Sequence, residues 1–380
     1  MEAILSKHCF VSALSRLSGI ADRKSSMPIL SNVYISTEGS SSIVFAATDL
    51  NISARGVFPA QIVRPGTITL PAKTLHDIVK SLPEGDILLR AEGDSVEVSS
   101  GRSNFTLLGL PAEDFPTFPD TVEVDYLEFN TQLLGQLIDR TSFSISSDES
   151  RPHLNGALFQ GDAKILRMVT TDGHRLSKAE FKAEETGFYN FSHVVSHKGI
   201  LELRRLLDDS LSVISMGFHA GTLFVKRTLE VEKPVEGEPT PTAEFVLASK
   251  LVEAEFPSYD QVIPKGMERE VIAPRVALLE SLRRISIVSP DRNMAVKFAI
   301  SEGSIEISSN NPAVGTAVEV IDVTYDGDEV EIGFNVRYFA DALSVLSDDE
   351  VKLELSGALD PAVINDLEST FVGVIMPMRI

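Results

Sequence analysis

Apolar and polar positions along this chain switch between a helical and a strand period, and the switches recur in one order. From Cys9 to Ile20, CFVSALSRLSGI, the residues Phe10, Ala13, Leu14 and Leu17 fall at helical spacing while Ser12, Ser15 and Arg16 face away. Gly19 is expected to end this helix, with Arg23 and Lys24 in the connection to PILSNVYIS, an alternating strand. SSIVFAATD, ISARGVF and GTITLP read as further strands. A second helix is predicted from Lys73 to Leu82, burying Leu75, Ile78, Val79 and Leu82 and leaving Lys73, His76 and Lys80 on an outer face. Three hairpin-like strands follow. LPAEDFPTFPD, rich in proline and acid, reads as a linker.

The same order is written twice more. LLGQLIDRTSFSI, the strands HLNGALFQ and ILRMVTTD, and the helix KGILELRRLL make a second copy, which closes on EFPSYDQVIP; RVALLESLRRI to YFADALSVL and the final FVGVIMPMRI make a third. Lys73 recurs as Lys198 and Arg337, 125 and then 139 residues on, and Thr48 recurs as Thr171 and Asn310, 123 and then 139 on. Two landmarks that keep nearly equal offsets argue for repeats of whole domains, each far longer than a solenoid unit. The expected architecture is α+β: three domains at 1–122, 123–266 and 267–380, each with its own core, two helices and about eight antiparallel strands. A proline-rich loop at 229–243 accounts for the longer second offset and is expected to be a mobile surface excursion.

Composition narrows the setting. Cys9 is the one cysteine among 380 residues, so no disulfide forms within the chain and a reducing compartment is implied; Cys9 itself reads as a small buried apolar residue. No apolar run reaches membrane-spanning length and MEAILSKHCF lacks a secretory core, so a soluble cytoplasmic protein is expected. A net charge of −21 and a pI near 4.8 disfavour simple electrostatic binding to nucleic acid. The cations nevertheless gather on helices: Lys73, His76 and Lys80, then Lys198, Arg204 and Arg205, then Arg275, Arg283 and Arg284. One such helix is an ordinary solvated face. Three aligned domains would join them into one basic surface suited to phosphate contacts without base readout.

Catalytic motifs are missing. Asp172 and His174 in TTDGHRL could form half a triad or half a metal pair, but no third group has the spacing, and there is no nucleophile elbow, phosphate-cradling loop, HExxH or GxGxxG. A polar turn at a strand end is the simpler reading, and a binding role the better functional one.

Several stretches carry a resemblance: PILSN at 28–32, GRSNFTLLGLPAEDFP at 101–116, HLNGALF at 153–159, TTDGHRL at 170–176, EFPSYDQVIPK at 255–265, IGFNVRY at 332–338 and MPMRI at 376–380. Together they resemble the bacterial beta sliding clamps, processivity subunits of the replicative DNA polymerase III, from the first helix to the last residue. That resemblance implies a non-catalytic protein without cofactor or metal. It also implies a head-to-tail homodimer whose six domains ring duplex DNA, twelve helices inside, in the bacterial cytoplasm at the nucleoid. The replicative polymerase, the clamp loader and repair polymerases would dock through short linear peptides in a pocket. Leu154, Thr171, Gly173, His174, Arg175 and Leu176 would form one wall, Pro257 and Val262 the linker side, and Asn335, Tyr338, Leu359 and Pro361 the third-repeat side. Val374, Met376, Pro377 and Met378 would close it. Phosphate or groove contacts are implied for Arg23, Lys24, Arg151, His153 and Lys198, to which the helix pattern adds Lys73, Lys80, Arg204 and Arg205. Phe105, Ile287 and Val288 match the ring-closing contact. Gln261 and Asn293 depart from residues that some relatives carry, arginine and phenylalanine, and so bear on peptide preference; His153 likewise replaces a tyrosine. Two other readings stay open here: an enzyme built on the Asp172 turn, and a monomeric scaffold using the same pocket.

Overall fold

The structure, a computed structural model, describes residues 1–21, 25–182, 189–207, 213–231, 241–290 and 294–379. Arg23, Lys24 and Asn293 therefore lie outside the described residues. The first repeat holds β1 Glu2–Ser6, α1 Lys7–Leu17, β2 Asn32–Glu38, β3 Ser42–Thr48, β4 Ile52–Pro59, β5 Gln61–Arg64, β6 Thr67–Pro71, α2 Ala72–Ser81, β7 Asp86–Glu92, β8 Ser95–Ser100 and β9 Ser103–Leu108. In the second are β10 Leu127–Asn130, α3 Thr131–Thr141, β11 Gly156–Ala163, β12 Ile165–Thr171, β13 Arg175–Lys182, β14 Tyr189–Ser196, α4 His197–Leu206, β15 Val213–His219, β16 Thr222–Glu230 and β17 Thr242–Lys250. The short α5 Tyr259–Val262 precedes β18 Arg269–Pro274, α6 Arg275–Ser286, β19 Ala295–Ser301, β20 Ser304–Asn311, β21 Gly315–Asp322, β22 Val330–Asn335, α7 Val336–Ser344, β23 Glu350–Leu355, β24 Ala362–Asn365 and β25 Phe371–Ile375. Every described strand pairing is antiparallel.

The helices follow the apolar stripe. Phe10, Ala13, Leu14 and Leu17 of α1 are fully buried, as are Leu75 and Val79 of α2, while Lys73 and Lys80 are exposed. The Ser6 side chain accepts the Cys9 amide and starts α1, and Asn335 accepts the Arg337 amide and starts α7. Two local expectations are corrected and two strands are added. PILS is a 3-10 turn at Pro28–Ser31, opened by the proline, and β2 begins only at Asn32. EAILS and QIVR, for which the pattern gives no expectation, are β1 and β5, which pair with each other. The proline-rich loop is shorter than drawn, because Leu229 pairs with Ala243 and Glu230 with Thr242 at the ends of β16 and β17; its centre, 232–240, lies outside the described residues.

Two compact units emerge, each drawing on two repeats. Unit 1 comprises Met1–Thr131 and Leu201–Leu251; unit 2 comprises Gln132–Ile200 and Val252–Ile380. Unit 1 contains the sheet β5-β1-β7-β8-β9 and an eight-stranded sheet β10-β15-β16-β17-β4-β3-β2-β6. Unit 2 contains the sheet β21-β20-β19-β22 and an eight-stranded sheet β14-β11-β12-β13-β25-β24-β23-β18. Each large sheet thus joins strands of successive repeats, at β17–β4 and at β25–β13. The proline-containing linkers cover these sheets: Phe118, Val124 and Tyr126 pack with Phe224, Val246 and Ala248 in unit 1, and Phe256, Tyr259 and Ile263 pack with Leu176 and Val374 in unit 2. On α6 and α7 the core closes around Phe298, Phe334 and Phe339, whose ring centroids lie 4.8–5.4 Å apart.

Among the strands at which the four sheets end, two carry pairs of exposed apolar residues. β9 ends its sheet with Phe105 37% and Leu108 75% exposed, and β21 ends its sheet with Val318 58% and Val320 62% exposed. Exposed, unpaired apolar edges are a liability unless something covers them.

Candidate functional site

The Asp172 turn is built by its own side chains. Thr171 Oγ1 donates to the Arg175 carbonyl at 2.6 Å and accepts the Gly173 amide at 3.1 Å, while Asp172 Oδ1 accepts the His174 and Arg175 amides at 2.9 and 3.0 Å. Gly173 takes φ 91°, a left-handed backbone that glycine adopts without a Cβ penalty. Asp172 is consequently occupied: its other oxygen holds Arg175 Nε at 3.1 Å. Both Asp172 carboxylate oxygens thus serve the turn itself.

Arg175 knots the turn to α7. Its Nη1 reaches Asp341 Oδ2 at 2.6 Å, its Nη2 donates to the Phe143 carbonyl at 2.5 Å, and the guanidinium lies 4.6 Å from the Tyr338 ring centroid and 5.3 Å from that of Phe143. Burial, with the Asp172 carboxylate adding to it, raises the Tyr338 hydroxyl above the usual tyrosine range. Asp341 and Phe143 were missed in the sequence, and no local signal marks them, since they stand 166 and 32 residues away from Arg175.

Around this knot the anticipated pocket residues of unit 2 sort into floor and rim. Leu176 pairs with Val374 across β13–β25, and both are buried in one cluster with Tyr259. Leu154 is buried, its amide on the Arg151 carbonyl at 2.9 Å. β25 continues the wall, the Met376 amide donating to the His174 carbonyl at 3.0 Å and the Met378 amide to the Gly333 carbonyl at 2.8 Å, two residues before Asn335. Pro361 precedes Ala362, which pairs with Ile375. The rim is exposed and largely apolar: Val262 44%, Leu359 74% and Met376 41%, with Pro257, Gly173 and His174 also exposed and Pro377 half-buried. Gln261 stands exposed beside Val262. A buried apolar floor under an exposed apolar rim, with backbone groups at its margin, is the chemistry of a peptide slot.

The cations are less free than their pattern suggests. Arg284 forms a two-pronged pair with Glu319 at 2.6 Å on each prong, Arg283 meets Glu280 at 2.8 Å, and Arg275 donates to the Asp348 carbonyl at 2.6 Å. Arg205 meets Glu202 at 2.5 Å, Arg204 donates to the Leu207 carbonyl at 3.0 Å, and Arg151 meets Asp148 at 2.8 Å and the Asp172 carbonyl at 3.3 Å. Lys73 and Lys80 are exposed on α2; Lys198 and His153 are half-buried. Phe105 and Ile287, the latter 79% exposed, are surface residues and Val288 is half-buried, so ordinary core packing does not account for the first two.

Comparison with known proteins accounts for all three repeats. Residues 1–119 match the N-terminal domain of the DNA polymerase III beta subunit, 128–258 its central domain and 260–379 its C-terminal domain. The chain belongs to the DNA polymerase III beta subunit family, the beta sliding clamps. The beta sliding clamp of Pseudomonas aeruginosa is 35% identical, over all of both chains. The crystal structure of the DNA polymerase III subunit beta from that organism superposes with a TM-score of 0.89 at 33% identity and full coverage, as does that of its sliding clamp bound to griselimycin. A sliding clamp is a non-catalytic subunit serving polymerase processivity, which disposes of the enzymatic reading of the Asp172 turn. Among the described residues no helix is long and apolar enough to cross a membrane.

Proposed function

We propose that two copies of this chain close head to tail into a six-domain ring that holds duplex DNA by encirclement. The carrying observation is the identity of the open edges. In the repeat order, β9 corresponds to β17 and β25, and β21 corresponds to β4 and β13. Because β17 pairs with β4 and β25 with β13, β9 of one protomer is the natural partner for β21 of the next. A head-to-tail contact of this kind is heterologous and finite only if its rotation closes. Phe105 and Leu108 on one side and Ile287 and Val288 on the other supply apolar cover. The three domains are assigned to 1–122, 123–266 and 267–380 on the strength of the repeat.

Within the ring, Lys73, Lys80, Lys198, Arg204 and Arg205, with Arg23, Lys24, Arg151 and His153, meet phosphates one weak contact at a time. Topology makes strong contacts unnecessary, so sliding is not trapped. The slot around Leu176, Tyr338 and Met376 receives short peptides of the replicative polymerase, the clamp loader and repair polymerases in a bacterial cytoplasm. The test is retention on circular against linear DNA after loading by an ATP-driven clamp loader, at a salt concentration that screens phosphate contacts. The ring reading expects the protein to stay on circles and run off linear ends. Equal loss from both, with a single-chain mass by light scattering, would leave the monomeric scaffold as the account.

A further inference from the structure

The Asp172 turn has a twin in unit 1. Thr48 Oγ1 donates to the Ile52 carbonyl at 3.1 Å and accepts the Leu50 amide at 3.0 Å, while Asp49 Oδ1 accepts the Asn51 and Ile52 amides at 2.9 and 2.6 Å. Leu50 occupies the place of Gly173 and shares its left-handed backbone, φ 75° against 91°. β17 flanks this turn as β25 flanks the other, the Lys250 amide donating to the Asn51 carbonyl at 2.8 Å. Strand register then makes Thr222 the counterpart of Pro361, Ala248 that of Val374 and Lys250 that of Met376. The linker repeats as well, Phe115-Pro116-Thr117-Phe118 answering Phe256-Pro257-Ser258-Tyr259.

A cavity stands at this place. About 500 Å³ opens between Tyr34, Ala46, Phe115 and Phe118, and a hollow of about 310 Å³, past Thr222 and Lys250, shares Thr48, Ser53 and Pro116 as common wall. These volumes are in the range of ligand pockets. The Tyr34 and Phe115 rings, 5.3 Å apart, form an aromatic wall. Chemistry separates the twins: where unit 2 has Arg175, Leu176 and Met376, unit 1 has Ile52, Ser53 and Lys250. Arg55 lines the cavity, already paired with Glu38 at 3.5 Å, and Lys250 stands exposed at the margin of the adjoining hollow, so both are cations within reach of an acidic ligand in a chain of net charge −21.

We propose that this cavity is a second peptide-docking site, taking an extended segment of a partner protein whose aromatic side chain lies against Tyr34 and Phe115 and whose acidic residue meets Arg55 or Lys250. The inference rests on the peptide reading of the unit 2 slot for its geometry and on the lining cations for its preference. The probe is acetyl-Ser-Asp-Leu-benzoylphenylalanine-Glu-amide, photo-crosslinked to the full-length protein and mapped by mass spectrometry. Adducts are expected on 112–118 as well as around 171–176 and 374–378. Arg55→Glu with Lys250→Glu should lower the first set by on the order of tenfold, about 1.4 kcal/mol, and leave the second unchanged. Thr117→Trp, at an exposed lining position, should block the first set without touching the ion pair of Arg55. Adducts only at 171–176 and 374–378 would overturn the second site and leave the function standing; adducts at neither would overturn both. Labelling of 112–118 that survives all these variants, or that yields to duplex DNA and not to unlabelled peptide, would also overturn it.

Discussion

Removing the Arg175 side chain should loosen unit 2 more than any other single polar change near the candidate slot. The guanidinium is 10% exposed and holds Asp172 and Asp341, which are 17% and 29% exposed, besides the Phe143 carbonyl. Charge-assisted hydrogen bonds contribute about 1.5–3 kcal/mol each, and truncating one partner of a buried pair costs about 3–5 kcal/mol. The partial exposure of Asp341 screens its share, so about 3 kcal/mol is expected for Arg175→Ala. For a cooperative unit of roughly 200 residues that lowers the midpoint by about 6–12 °C. Arg175→Lys keeps the charge and loses the fork and the ring contacts, and should recover less than half of the loss. Calorimetry on the full-length protein reads both variants. A midpoint within about 1 °C of the parent for Arg175→Ala, or full recovery with lysine, would refute the account of a shared, planar-group knot.

Ile287→Asp should convert a two-chain particle to a one-chain particle in light scattering while leaving the thermal midpoint of the chain nearly unchanged, because Ile287 is 79% exposed within the chain and only the proposed partner would bury the new charge; a variant that stays dimeric would count against the β9–β21 contact. Burial holds His197 and His193 below the usual histidine range. Both are therefore neutral in the fold at pH values where the unfolded chain binds protons, so their stability is complete above about pH 6.5 and is lost as pH falls through that value. The midpoint should drop between about pH 7.5 and 5.5, less steeply in His197→Gln; parallel slopes would remove His197 from the explanation.

The helices and the triplication could be read from the chain because they are local: the stripe Phe10, Ala13, Leu14, Leu17 carries its own period. β5, with only Ile62 even half-buried, has no alternation to read, and in β1 Ala3 and Leu5 point inward but the apolar Ile4 between them masks the period. The joining of repeats into common sheets was hidden for another reason. β4 and β17 carry ordinary strand patterns, and nothing in either names its partner. Resemblance alone points to Leu176, Val374 and Met376 as residues of the proposed slot, whereas the contact of Asp341 with Arg175 follows only from where α7 lies. The arginine pairs divide likewise. Arg283–Glu280 and Arg205–Glu202 are one helical turn apart and were open to spacing, but Arg284–Glu319 crosses from α6 to β21.

The shared sheets impose an order on synthesis. β4 leaves the ribosome early, yet the strand that covers its edge, β17, lies roughly 190 residues later, on the order of 10–40 s at usual elongation rates. Until then Ile52 to Val57 present an unpaired edge, the kind that recruits wrong partners. β13 waits in the same way for Phe371–Ile375. A fragment holding only the first repeat should therefore be sticky where the finished chain is not, and contacts this distant in sequence favour slow folding that completes well after the helices have formed.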